Sequence, residues 1–113
     1  MMHLQFLVQG SKPEPYRVTF ERTSGNQLHA FCTCPAGQKG QSCKHRFRIL
    51  EGDGEGVISE NAGDVPRVVE WLQETALQEA LARMLTAEEK VKAAQQQVST
   101  AKRAIADMMH GRR

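Results

Sequence analysis

The spacing of three cysteines and one histidine constrains the fold of this chain more than any other feature. Cys32 and Cys34 are separated by one residue, and after eight further residues Cys43 and His45 repeat that spacing. Three thiolates and one imidazole within fourteen residues match the donor set of a tetrahedral zinc site. Residues two apart share a face only on an extended segment, so we expect the first pair on a strand and the second at a helix start or tight turn.

The sequence therefore predicts one zinc ion, and it predicts that the ion is structural. Four protein donors leave no open coordination position, which a catalytic zinc would need. The alternative interpretation is that the cysteines are small buried hydrophobic residues or redox-active thiols. His29 lies at odd spacing from the strand cysteines and should point to the other face, and His3 and His110 have no potential ligands beside them in the sequence.

These residues also carry a resemblance to a known family. Cys32-Thr33-Cys34-Pro35, followed by Ser42-Cys43-Lys44-His45, resembles the SWIM-type zinc finger, and the resemblance covers residues 16–51. It implies a small β-β-α finger with Cys32, Cys34, Cys43 and His45 as zinc ligands and a role in binding DNA or other proteins. The family's motif indicates which metal is bound, but it does not indicate which biochemical function the protein has.

The pattern around the motif predicts an α+β fold. Residues 3–9 resemble an edge strand, and Tyr16, Val18 and Phe20 alternate with polar residues, as a half-buried strand requires. A second strand from Leu28 to Cys34 completes a hairpin. A three-residue loop would pair Val18 with Cys32 and Tyr16 with Cys34, and a two-residue loop would pair Phe20 with Phe31; we favour the first.

The finger should end in a loop and a short helix. Residues 35–41 have loop composition, and Ser42 is expected to cap a helix that runs to about Leu50. Three glycines and three acids at residues 51–56 predict a second loop, and residues 57–59 a short strand. We assign residues 1–61 to this zinc-binding module.

Residues 62–113 are predicted to be helical. Asp64 should cap a helix with an apolar stripe from Val65 through Leu72 to Ala76. From Leu77 the pattern becomes a heptad repeat. Its first core position holds Leu77, Met84, Val91, Val98 and Ile105, and its second holds Ala80, Ala87, Ala94, Ala101 and Met108.

The heptads leave two questions open. Thr86-Ala87-Glu88-Glu89 could cap a new helix, so the region is one long helix or a helical hairpin broken near Thr86. The stripe could form a coiled coil, either in a homodimer through residues 77–108 or with another protein, or it could fold back on its own preceding helix.

Charge is distributed unevenly along the 113 residues. Residues 1–50 carry seven Lys/Arg against two Glu, net +5; residues 51–85 carry two against eight, net −6; residues 86–113 carry six against three, net +3. Four cations lie close to the metal ligands and predict contacts to nucleic-acid phosphates: Lys39, Lys44, Arg46 and Arg48. A solvated basic face is the other interpretation of these cations.

Two functions therefore remain in balance. The first is a non-enzymatic zinc module that binds nucleic acid, DNA rather than RNA, through the basic residues. The second is a protein-interaction adapter or inhibitor that works through the acidic middle and the helices. The sequence shows no phosphate-binding loop or paired catalytic carboxylates that would indicate an enzyme. Without a signal peptide or membrane span, we expect a cytoplasmic protein that does not bind membranes.

Overall fold

The computed structural model describes residues 2–111 and shows an α+β fold, with a three-stranded antiparallel sheet followed by helices. A 3-10 turn, Glu60–Asp64, precedes the third helix. The elements are β1 Met2–Val8, β2 Tyr16–Thr23, β3 Gln27–Cys32, α1 Pro35–Gln38, α2 Lys44–Leu50, α3 Val65–Leu72 and α4 Ala76–Met109.

The sheet has the order β1-β2-β3, so β1 is the edge strand that the sequence predicts. Three residues, 24–26, connect β2 to β3, and Val18 lies opposite Cys32, which confirms the three-residue loop. Phe20 lies opposite Ala30, so the register with Phe31 is wrong. Asn26 has a φ of 56°, a left-handed conformation that asparagine tolerates well and that turns of this kind use.

The core lies between one face of the sheet and the helices α2 and α3. Phe6, Val18 and Phe20 are fully buried, and the two phenylalanine rings meet edge to face at 6.1 Å. The helices that pack on each other over this face contribute further buried residues. These are Ile49 and Leu50 of α2 and Val65, Val68, Trp71 and Leu72 of α3.

The segment from the end of β3 to α2 differs from the sequence prediction in three places. Strand β3 ends at Cys32 and not at Cys34, which is instead the N-cap of α1, so only one cysteine of the first pair lies on the strand. Residues 35–38, expected in a loop, form the helical turn α1, which begins with a proline whose fixed φ suits that position. Helix α2 has Cys43 rather than Ser42 at its N-cap, and no side chain caps it there. The second pair of ligands nevertheless lies at a helix start, as expected.

The predicted helix from Asp64 through Ala76 is interrupted after Leu72. Glu74 has a φ of 64°, and the Thr75 hydroxyl donates to the Leu72 carbonyl at 2.6 Å and accepts from the Gln78 amide at 3.1 Å. Thr75 thus satisfies polar groups at the end of α3 and at the start of α4. Ala76 belongs to α4 and not to the stripe of α3.

Helix α4 is continuous over 34 residues, so the hairpin with a break near Thr86 is not formed. By their contacts the residues divide into two compact units, one up to Gln78 and one from Glu79 onward. This division lies farther along the chain than the boundary at residue 61 that the sequence suggests.

Residues 51–59 form the connection from α2 toward α3. Residues 51–56 contain no helix or strand, as predicted, and the short strand expected at 57–59 is reduced to one bridge between Val57 and Val8. Among the helices of residues 2–111, none has the length and apolar character needed to cross a membrane.

Candidate metal centre

The structure brings the four predicted ligands together. The Sγ atoms of Cys32, Cys34 and Cys43 and a ring nitrogen of His45 all lie within 4.8 Å of one another. The cysteines are buried and the histidine is half-buried. Because the end of β3 and the first turn of α2 both point into this cluster, the hairpin and the helix are joined at one place.

The size of the cluster fits a single metal ion. At a zinc–sulfur distance of about 2.3 Å, tetrahedral geometry places neighbouring donors roughly 3.5–3.8 Å apart. His45 Nδ1 lies 3.8 Å from Cys32 Sγ, so Nδ1 is the nitrogen that faces the thiols. The donors need to contract by about 1 Å or less to surround an ion. The Cys3His arrangement is therefore compatible with a zinc site.

The sulfur of Cys34 is held by the turn that follows it. Cys34 is the N-cap of α1, and its Sγ accepts a hydrogen bond of 3.3 Å from the amide of Gly37. An amide that donates to a thiolate stabilises its negative charge and fixes its position. The helical turn α1 therefore orients one ligand.

Arg46 holds the third sulfur. Its Nε donates to Cys43 Sγ at 3.2 Å, and its terminal nitrogens donate to the carbonyl oxygens of Ala30, at 3.2 Å, and Gln41. One guanidinium thus connects β3, the loop before α2 and a ligand on α2. A divalent ion bound by three thiolates would give the site a net charge of −1, which the positive charge of Arg46 would balance.

Burial and neighbouring charges shift the pKa values of three ligands. Burial raises the pKa of the Cys32 thiol to about 12, so a metal ion must displace its proton. Burial acts in the same direction on Cys43, but hydrogen bonds and charge from Arg46 outweigh it and hold that pKa below its ordinary value. Burial, and then the charges of Lys44 and Arg48, lower the pKa of His45. A neutral imidazole keeps its lone pair for a metal.

The remaining histidines lie away from the cluster. His29 is exposed, and its ring stacks at 6.4 Å on Phe31, on the outer face of β3, in agreement with the prediction. His3 and His110 are exposed.

The four predicted phosphate-contacting cations separate into two kinds. Lys39, Lys44 and Arg48 are exposed, whereas Arg46 is half-buried and directed toward Cys43. The contacts of Arg46 explain this difference, because its donors are used by a sulfur and two carbonyl groups. Only Lys39, Lys44 and Arg48 are therefore placed to contact another molecule in solution.

A groove of about 620 Å³ runs beside the metal ligands. Its walls include Lys44 and Arg48 from α2, Tyr16 from β2, and Glu55 from the loop after α2. The Tyr16 ring lies 5.1 Å from the His45 ring at a tilt of 48°, so it also covers the ligand. The groove combines two cations with an aromatic ring, and it contains one acidic residue.

Sequence reasoning missed three residues of this centre. Gly37, Arg46 and Tyr16 hold or cover the ligands, whereas the sequence predicts a loop residue, a phosphate contact and a strand residue at these positions. Arg46 follows a ligand by three residues in a helix, and this spacing could have indicated its contact with Cys43. The other two contacts depend on the tertiary structure.

Searches against protein-family models, curated proteins and solved structures found no match to this chain.

Proposed function

We propose that the chain is a non-enzymatic, SWIM-type zinc module in which one structural Zn²⁺ is held by Cys32, Cys34, Cys43 and His45. The donor set and the buried position of the three sulfurs support zinc over harder ions, which prefer oxygen ligands. Four protein ligands leave no position for a substrate or an activated water. The hairpin, turn and helix around the ligands are the β-β-α arrangement that the resemblance implies.

The Arg46 contacts lead to a prediction about zinc affinity. Replacing Arg46 with alanine removes the hydrogen bond to Cys43 and the balancing charge, and we expect zinc affinity to fall about 10- to 100-fold. Arg48→Ala is the matched control, because Arg48 is an exposed arginine on the same helix. Competition with a chromophoric chelator measures both. Equal affinities of the two variants would show that Arg46 does not support the site.

We further propose that this module binds nucleic acid, DNA rather than RNA. The observation that carries the proposal is the groove beside the ligands, where Lys44 and Arg48 project from α2 next to Tyr16. Lysine and arginine contribute to affinity by displacing counterions from phosphates, and an aromatic ring can stack on a base. Lys39, exposed after α1, extends the basic surface.

The test is an anisotropy titration of the zinc-loaded protein against labelled duplex and single-stranded DNA and the matching RNA, at two salt concentrations. If three phosphate contacts form, affinity for duplex DNA should decrease with salt, with a logarithmic slope near −3. Replacing Lys39, Lys44 and Arg48 together with alanine should remove most of the binding. The matched control replaces Lys90, Lys92 and Lys102 of α4, which changes the net charge equally.

The outcomes separate the possibilities. Binding that is lost in the first variant and kept in the second supports the groove as the nucleic-acid site. Equal losses would indicate attraction to net charge alone, and preference for RNA would contradict the choice of DNA. Absence of binding at low salt, with zinc content intact, would reject the nucleic-acid proposal and leave the zinc proposal standing.

A second candidate function is a protein-interaction adapter or inhibitor that uses the acidic middle of the chain. Seven of the eight acidic side chains in residues 51–85 are exposed, and this surface could attract a basic protein. Titration with a labelled oligoarginine peptide tests it. Glu51, Asp53 and Glu55 are replaced with alanine or glutamine in a variant. Tight peptide binding that is lost in this variant would favour the adapter or inhibitor function.

A further inference from the structure

Helix α4 carries an apolar stripe that the rest of residues 2–111 leaves exposed. Val91, Val98 and Ile105 are 56%, 52% and 54% exposed, and no residue from 82 to 111 is buried. The stripe repeats every seven residues, which is the period of a two-helix seam. Helices of globular proteins are stabilised mainly by packing of such a face, so this face is expected to have a partner.

We propose that a second copy of the chain covers the stripe, with the two α4 helices antiparallel. The two-fold axis would pass between Val91 and Ala94, so that each of these residues faces the other one in the second copy. By symmetry every pair of residues occurs twice. The layers on either side pair Ala87 with Val98, Met84 with Ala101 and Ala80 with Ile105.

The sizes of the core residues favour the antiparallel arrangement. In that arrangement each of these layers combines one large residue with one alanine, so the distance between the helices stays uniform over most of the seam. Only the outermost layer pairs two large residues, Leu77 and Met108. A parallel pair in register would alternate Val91 against Val91 with Ala94 against Ala94. Two facing valines keep the helices farther apart than two facing alanines do. At the distance that the valine layers require, the alanines of the two helices would not touch, and their packing energy would be lost.

The charges along α4 favour the same orientation. From Ala76 to Glu89 the helix has three glutamates and one arginine, net −2. From Lys90 to Met109 it has three lysines and one arginine against one aspartate, net +3. An antiparallel pair places the acidic half of each helix beside the basic half of the other, whereas a parallel pair places like on like. The parallel pair would gain only the attraction of Arg83 for Glu88.

The surface of α4 has a hole that suits this register. A depression around Ala87 is bordered by Met84, Glu88 and Val91. Four residues at these relative positions form the hole that receives one knob of a facing helix in a coiled coil. The antiparallel register directs Val98 of the second copy at this hole. The shape of this surface, the sizes of the core residues and the charges thus all favour an antiparallel α4 helix from a second copy of the chain.

The first part of the test measures association of the zinc-loaded full chain by sedimentation over a range of concentrations. We expect a reversible monomer–dimer equilibrium. Val91→Asp places a charge in the central layer and should weaken the dimer at least about tenfold. Gln96→Asp adds the same charge on the opposite side of α4 and should leave the dimer unchanged. Zinc content and Trp71 fluorescence verify that both variants are folded.

The second part determines the orientation of the helices. The photo-crosslinking residue p-benzoylphenylalanine replaces Lys102, and light and heavy isotope-labelled chains are mixed before irradiation. The antiparallel register places position 102 at the level of Arg83 and on the side of Leu81 of the second copy, so crosslinks between light and heavy chains should map to residues 81–83. A parallel dimer would crosslink near position 102 itself.

Three results would overturn the proposal: a monomer at every concentration, a dimer that Val91→Asp does not weaken, or crosslinks between equivalent positions. Binding of a different protein to α4 while the chain alone stays monomeric belongs to the first case. None of the groove residues lies on α4, so a failure of the dimer proposal does not bear on whether the groove binds nucleic acid.

Discussion

Removal of zinc should unfold the chain up to Gln78 while much of α4 remains helical. The sheet and the helices α2 and α3 form a small core, and a domain of this size buries too little surface for ample stability on its own. A structural zinc ion contributes about 10–16 kcal/mol of apparent binding free energy. That is comparable to the entire stability of a typical domain, about 5–15 kcal/mol. Loss of zinc and loss of fold should therefore coincide.

The single tryptophan reports this transition. Trp71 is 7% exposed in α3, which packs on α2, so unfolding should shift its fluorescence to the red as water reaches the ring. A chelator with a chromophoric zinc indicator measures release of one ion per chain. Far-ultraviolet circular dichroism should retain a helical signal from α4, and α3 should unfold together with the sheet.

Single substitutions make the same test without a chelator. Cys43→Ser removes a ligand and should abolish tight zinc binding and the buried environment of Trp71. His29→Ala removes an exposed imidazole that lies outside the cluster and should leave both unchanged. If Trp71 stays buried after complete zinc loss, folding of the first unit does not depend on the metal.

The metal cluster and the hairpin register could be predicted from sequence because both follow from local geometry. Alternation on β2 indicates which residues face inward. Extended backbone that continues from the end of β3 at Cys32 to Cys34 places both cysteines on one side. The three-residue loop then determined that Val18 faces Cys32. These arguments need no knowledge of the rest of the fold.

The interruption between α3 and α4 was missed although the sequence contains its signal. Thr75 and Gln78 have the spacing of a capping box, as Thr86 and Glu89 do. Only the first pair is used, because Glu74 adopts a left-handed conformation there and its amide donates to the Gln78 side chain at 2.9 Å. Choosing between two equal signals required tertiary structure. For Arg46 the sequence spacing indicates the contact with Cys43, whereas the contacts with Ala30 and Gln41 depend on the tertiary structure.

A methyl group at residue 37 should disrupt the metal centre without touching a ligand. Gly37 has no unusual φ, but its amide holds Cys34 Sγ and its α-carbon approaches the main chain of Cys32. A Cβ there would collide with the Cys32 carbonyl oxygen and lie 2.9 Å from the Cys32 Cβ. A main-chain group in a strand cannot rotate away, so α1 must move from β3 and separate two ligands.

We expect Gly37→Ala to destabilise the zinc-loaded first unit by about 1–3 kcal/mol, the usual cost of overpacking. The control is Gly25→Ala, because an added Cβ there meets no atom within 4 Å and the residue does not have a positive φ. Its effect should stay within about 0.5 kcal/mol. Urea unfolding followed by Trp71 fluorescence compares the two variants, and chelator competition should show weaker zinc binding for Gly37→Ala alone. Equal midpoints and equal zinc affinities would mean that α1 can withdraw from β3 without disturbing Cys34, and that the turn does not orient this ligand.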